Sequence, residues 1–545
     1  MRILSLLLLC SLFSCKTATE KIPAELIVTN ANIYTVDAQF RTANAFAVGE
    51  GGVILGVGSD YEITAEYESE NVYNAQGKTI VPGLIDAHAH LLNLGVGMQE
   101  VDLVGTKSAE DVIARVKAFQ AQNQSEFISG RGWDQNDWEV KEFPTKEQLD
   151  AAFPDTPVAL RRIDGHALWV NSKALAMAGV TASTKLPGGE VILKNGAPSG
   201  ILVDAPMRLV DAVRPAKDVA YYVKALTDAE SNCLSYGLTT VNDAGLDRAA
   251  IELIDSLQQA GTMKLRLYAM VSNAPENLDH FLNKGILKTD RLNVRSVKVY
   301  GDGALGSRGA ALRAPYSDQD GHYGAMITTE EDLLALAKRI NAAGYQMNTH
   351  AIGDSANIAV LRAYSEVLKD QTDARWKVEH AQVISVADFD YFSKNIIPSV
   401  QPTHATSDMY WAEDRVGPDR IKGAYSFKTL LDKAGLVALG TDFPVEQVNP
   451  MLTFYAAVAR QDLEGYPEGG FLPEQKLSRE EALKGMTIWA AYSNFEEEEK
   501  GSIEVGKLAD FTVLSADIMT IAETDIPNVT AVRTYINGEL VYEQK

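Results

Sequence analysis

Apolar and polar positions fall into two regimes along the chain. From residue 24 to about 80 the apolar runs are short and broken by Asn, Asp and Gly. Leu26-Ile27-Val28, Ile33-Tyr34-Thr35, Ala45-Phe46-Ala47-Val48 and Val53 to Val57 read as strands, with Glu50-Gly51-Gly52 placed for a tight turn. The last fifty residues repeat this texture. Asp510 to Leu514 and Val529 to Val541 are strand-like, and Asn537-Gly538 marks a hairpin. Two β segments at opposite ends of a chain can pair into one small sandwich.

Between them, apolar β-branched runs alternate with helical spacing. The runs are Val81 to His90, Leu238 to Val241, Leu265 to Val271, Val297 to Tyr300, Tyr345 to His350, Trp376 to His380, Ile396 to Gln401 and Val437 to Asp442. Stretches such as Glu330 to Ala343 and Ala356 to Leu368 carry the helical period. Eight such units predict an α/β fold, a (β/α)8 TIM barrel, with chemistry at the C-terminal ends of its strands. The stretch from His90 to Leu238 is far too long for one crossover helix, so residues from about 95 to 220 form an insertion after the first strand. The expected boundaries are a β segment over 24–81, the barrel over 82–495, and a returning β segment over 496–545.

Composition narrows the function. A net charge of −23 over 545 residues argues against nucleic acid as a partner, because phosphate binding requires a basic surface. The densest acidic run, Glu496 to Glu499, reads as a solvated helix end. Arg2, the apolar run Ile3 to Leu9 and Leu12-Phe13-Ser14-Cys15 resemble a bacterial lipoprotein signal over 1–15, followed by a polar tether over 16–23. That reading expects a lipid on Cys15, a membrane-anchored protein of the bacterial cell envelope facing the periplasm, and no disulfide, since only Cys233 is then left free. Plain secretion is the alternative. A homo-oligomer stays open.

Polar residues gather where the strands end. His88 and His90 close the first run and, on a strand, share one face, with Asp86 at the same parity behind them. His350, His380 and Asp442 end the fifth, sixth and eighth. Four imidazoles and a carboxylate meeting at one mouth form a nitrogen–oxygen ligand set for zinc, or for manganese, iron or cobalt. Lys298 interrupts an apolar strand, where an ammonium would be desolvated. It must be neutral, paired with Asp302, held at the barrel mouth by its long stem, or modified; carboxylation by CO2 would make it an anion able to bridge two metals.

The pattern resembles the amidohydrolase superfamily, in the amidohydrolase-3 branch that includes N-substituted formamide deformylases. The resemblance extends from about Ala24 to Glu543. It rests on His88-x-His90, Lys298, His350, His380 and Asp442, and on Gly130-Arg131-Gly132-Trp133, Gly301 to Arg308, Asn348 to Asp354 and Gly501 to Asp510. It implies a binuclear centre, with two zinc ions the first expectation, bridged by carboxylated Lys298 and a hydroxide. It also implies hydrolysis of a non-peptide C–N bond in a small molecule. Asp442 would orient the nucleophile and relay its proton, unless it is only a ligand or a turn cap. His404 could hydrogen-bond the developing oxyanion, and Trp133, His166 and Arg308 are candidate substrate contacts, each with an ordinary structural role as the alternative. The same centre could act on an ester, lactone or cyclic amide. A ligand-binding lipoprotein without turnover is the reading from another class.

Overall fold

In the computed structural model, which describes residues 20–186 and 189–545, a parallel barrel forms the centre. Its strands are β1 (Leu84–Ala89), β2 (Leu238–Leu246), β3 (Arg266–Ser272), β4 (Leu292–Tyr300), β5 (Gln346–Ala351), β6 (Trp376–His380), β7 (Ile396–Val400) and β8 (Ala438–Leu439), hydrogen-bonded in that order. The barrel closes where the segment after β8 returns to β1, with Asp442 N–H donating to His88 O at 2.7 Å and His90 N–H to Phe443 O at 2.8 Å. Gly440 allows that approach: a Cβ there would lie 2.5 Å from His88 N and 2.7 Å from Asp86 Oδ1.

The connecting helices form for local reasons. Glu330–Ala342 starts at Thr329, whose hydroxyl accepts from Asp332 N–H, and carries three acidic residues in its first turn, opposite the helix dipole. Leu333, Ala337 and Ile340 form its buried stripe. Apolar residues on the outward faces of the strands, such as Val297 and Val299, join one core with these helices.

The expected first strand, Val81 to His90, is two strands. Thr79–Pro82 pairs with Phe511–Leu514 and Asn32–Tyr34 in a six-stranded sheet drawn from both ends of the chain. A second sheet, of four strands, lies against it, with Leu26, Val28, Ile33, Phe46, Ile80, Phe511 and Val513 between them. The hairpin at Asn537-Gly538 has positive φ at both residues, 53° and 71°, which suits a tight turn between twisted strands. The terminal sheet is tied to the barrel by a buried ion pair from Arg266 Nε to Asp510 Oδ2 at 2.5 Å.

Between β1 and β2 a mixed six-stranded sheet has its own core, including Val112, Val116, Leu149, Leu160 and Trp169. Glu496 departs from the solvated helix end expected of its run. It is 3% exposed and is held by Lys288 at 2.6 Å and Lys500 at 2.8 Å, because a buried carboxylate needs cationic partners. Cys233 is buried in the helix Val219–Ser235. Cys15 and the leader lie outside the described residues. Among the described residues, no helix is long and apolar enough to cross a membrane.

Candidate metal centre

Parallel register brings the polar ends of the strands together. β4 aligns Lys298 with Asn348 of β5 and Tyr300 with His350, and β6 aligns Glu379 with His350. These ends open into a cavity of about 650 Å³ lined by His88, His90, Lys298, His350, His380, His404 and Asp442. One ligating atom from each of His88, His380 and Asp442 falls within 4.8 Å of the others. His90 sits just past β1 at the start of the helix Leu91–Met98, with Nε2 3.2 Å from Asp442 Oδ1. The His350 ring is 4.5 Å from that of His380, centre to centre.

The imidazoles are oriented from behind. His88 Nδ1 is 2.6 Å from Glu379 Oε2, and His380 Nδ1 is 2.7 Å from Gln401 Oε1. Since a carboxylate and an amide oxygen only accept, each ring carries its proton on Nδ1 and turns a lone pair on Nε2 toward the cavity. Burial, then the nearby Lys298 charge, holds the His88 pKa below its ordinary value against the pull of Glu379. Burial and Lys298 take His350 down to about 3, and burial with His350 and His88 takes His380 well below the ordinary range. At Asp442, burial acts upward, but the hydrogen bond from His90 and the neighbouring His88, His380 and His404 hold the carboxyl well below its usual range. Neutral imidazoles beside a carboxylate, with His350 Nε2 buried and lacking a hydrogen-bond partner, fit a divalent cation.

Two of these residues have strained backbone. His380 has φ 71° and Asp442 φ 63°, left-handed values that cost a residue with a Cβ on the order of 1–3 kcal/mol. Asp86 supports the second of them. It accepts from Thr441 Oγ1 at 2.7 Å and from the N–H groups of Thr441 and His88, both at 3.1 Å, and burial pushes it up to about 7.

Lys298 is 1% exposed, with Nζ 3.1 Å from His88 Nε2. Burial lowers its pKa, with Glu379, Asp442 and Asp243 acting in the opposite direction. It does not pair with Asp302, which instead accepts backbone N–H groups from Ala311, Ile352 and Gly353. The His404 ring lies parallel to His380 with centres 6.0 Å apart, and its Nε2 is 3.8 Å from Asp442.

The three candidate substrate contacts lie outside this cavity. Trp133 is fully buried in the insertion, against Trp138 and Trp169, and its indole N–H donates to Leu160 O at 2.9 Å; an apolar ring on a strand face was taken into that second core. His166 is exposed on the insertion and pairs with Asp204 at 2.7 Å. Arg308 is committed to Asp318 at 2.8 Å. The cavity wall instead includes Tyr300, Leu305, Asp408, Trp411 and Glu446, to which the sequence analysis gave no role. Glu379 and Gln401 were also missed as orienting groups. The signal for Glu379 was its charge within the strand-like run Trp376 to His380.

Comparison with known proteins agrees with this architecture. The sequence model of the amidohydrolase family matches residues 71–542. Protein LONG AFTER FAR-RED 3 of Arabidopsis thaliana is 33% identical, covering 96% of this chain and 93% of its own length. The N-substituted formamide deformylase of Arthrobacter pascens is 28% identical, covering 95% and 98% respectively. A crystal structure of an uncharacterized metal-dependent hydrolase from Pyrococcus furiosus superposes with a TM-score of 0.74 at 27% identity, over 91% of this chain and all of that one.

Proposed function

The chain belongs to the amidohydrolase family, whose members are metal-dependent hydrolases, and we propose that its barrel mouth hydrolyses a non-peptide amide bond of a small molecule. The observation that carries this reading is the convergence of His88, His380 and Asp442 within 4.8 Å at the floor of an open cavity. The relative named as an N-substituted formamide deformylase supports the choice of a C–N bond.

His88, His90, His350, His380 and Asp442 would hold one or two divalent cations, zinc first, with Lys298 joining them after carboxylation. A cation so held polarises a carbonyl and lowers the pKa of water. The protein's own groups supply the rest. Glu379 and Gln401 fix the ring orientations of His88 and His380. Asp442, which borders the cavity, accepts a proton from the attacking water and passes it to the leaving nitrogen. His404 donates from Nε2 to the carbonyl oxygen as negative charge develops there. Carboxylation of Lys298 joins its neutral amine nitrogen to the carbon of CO2 and releases one proton. We further propose that a lipid on Cys15 anchors the enzyme to an envelope membrane, facing the periplasm; the Leu12-Phe13-Ser14-Cys15 run supports that assignment.

The test is a hydrolysis screen of the zinc- and manganese-loaded protein against N-formyl amines, N-acyl amino acids, hydantoins, esters and lactones. Turnover of N-formyl amines or other open-chain amides is expected. Turnover of esters, lactones or cyclic amides alone would transfer the function to those bonds. A protein purified natively without metal, and inactive when loaded, would be a binding module.

A further inference from the structure

We propose that the outer wall of the barrel mouth admits neutral and cationic amides and rejects those bearing a carboxylate, with Asp408 and Glu446 as the specificity-determining residues. The inference rests on the reading that substrate is hydrolysed in this cavity.

Besides the histidines, the cavity is lined by the apolar Leu305, Ile352 and Trp411 and by two carboxylates, Asp408 and Glu446, both near His404. Asp408 is fixed in place: its Oδ2 accepts from Tyr425 Oη at 2.8 Å and Gln382 Nε2 at 3.3 Å. Its other oxygen makes no hydrogen bond among the described residues. Glu446 Oε1 accepts from Ser407 Oγ at 2.7 Å and lies 4.0 Å from His404 Nε2. Each carboxylate therefore keeps an oxygen free to accept from a ligand.

Among the described residues, no lysine or arginine on this wall answers them. Histidines aside, Lys298 is the basic residue of the lining, and it is buried at the floor. Arg308, in the loop after β4, and Arg415, in the helix Ala412–Arg420, are both spent on Asp318. Arg308 binds it through Nε at 3.1 Å and Nη2 at 2.8 Å, and Arg415 binds it while lying 5.5 Å from the Trp411 ring centre. A substrate carboxylate entering here would lose water next to two like charges, with no guanidinium to receive it. An ammonium, or an N–H donor, meets two oriented acceptors. Selection of this kind works by repulsion as much as by attraction.

Three N-benzylformamides differing only at the para position, methyl, aminomethyl or carboxylate, test this on the metal-loaded full chain. The kcat/KM of the carboxylate should fall at least ten-fold below that of the methyl compound, with the aminomethyl compound at or above it. Glu446→Gln and Asp408→Asn should each narrow the gap. Equal turnover of the carboxylate, or a gap unchanged in both variants, would overturn the proposal. If none of the three is hydrolysed, the hydrolysis screen above decides the amide reading separately, and calorimetric binding decides the selectivity. Benzylammonium should then bind at least ten-fold more tightly than benzenesulfonate, and Glu446→Gln should reduce that preference. Equal or reversed affinities would overturn it.

Discussion

His88 and Glu379 form a fully buried pair, imidazole Nδ1 to carboxylate oxygen, 2.6 Å apart across the barrel from β1 to β6. A carboxylate behind a ligating histidine fixes its tautomer and raises its basicity, and loss of such a partner typically costs about 10- to 100-fold in metal affinity. Glu379→Gln retains an acceptor but removes the charge. It should weaken zinc binding by roughly that factor, measured by competition with a chelator, while the fold stays intact by circular dichroism. Unchanged zinc affinity would leave the pair a purely structural contact.

Asp442 and His88 separate proton transfer from metal retention. Positioned acid–base catalysis supplies about 10² to 10⁴ in rate. Asp442→Asn should lower kcat by about that factor or more while zinc content falls little, whereas His88→Asn should deplete zinc directly. Near-normal turnover by a zinc-replete Asp442→Asn protein would move the essential base elsewhere, with His404 the first to test.

Lys298→Ala should lose at least one equivalent of metal and most activity, and a short carboxylic acid such as acetate should restore part of both. A metal-replete crystal structure with an unmodified Lys298 amine turned from the metal would refute the bridging role.

Glu496 predicts a pH signature of stability away from the metal site. Burial acts to raise its pKa, but Lys500 and Lys288 outweigh it and bring the carboxyl from an ordinary 4.5 down to about 2. The folded protein therefore binds fewer protons than the unfolded chain between these values. The stabilisation is complete above about pH 4.5 and is lost as pH falls toward about 2. Glu496→Gln should be less stable than the parent at pH 6, and the difference should shrink by roughly 3 kcal/mol as pH falls from 4.5 to 2 and below. Urea unfolding at several pH values measures it; a difference independent of pH would contradict the assignment.

Cys15→Ala should shift the protein from the membrane fraction to the soluble fraction of the envelope. A parent protein already soluble there would exclude the lipid anchor.

The barrel was legible because its strands are buried on both faces and their apolar runs contrast with the helical spacing between them. The polar residues that end those runs are conspicuous for the same reason, so His88, His350, His380 and Asp442 stood out. What could not be read depends on contacts far apart in sequence. The run Trp376 to His380 marks Glu379 as a charge within a barrel strand, but only the cross-barrel distance shows that its partner is His88. Trp133 looked like a pocket wall because its burial in a second core depends on Trp138 and Trp169. Arg308 looked available because Asp318, its partner, follows in a loop without periodicity. The break at Gly83 was hidden because the apolar run continues through it while the chain leaves one sheet for another.

The strand Thr79–Pro82 leads directly into the histidine-bearing β1, yet one of its hydrogen-bonded neighbours, Phe511–Leu514, is made more than 400 residues later. A nascent chain on the ribosome thus cannot complete the platform beneath its own metal ligands until residues 511–514 have emerged. Contacts of such separation are slow to form and leave an open sheet edge in the meantime. Removal of residues 496–545 would leave every proposed ligand in the chain and deprive the strand ahead of β1 of one of its two partners. Such a truncated protein should aggregate or be degraded.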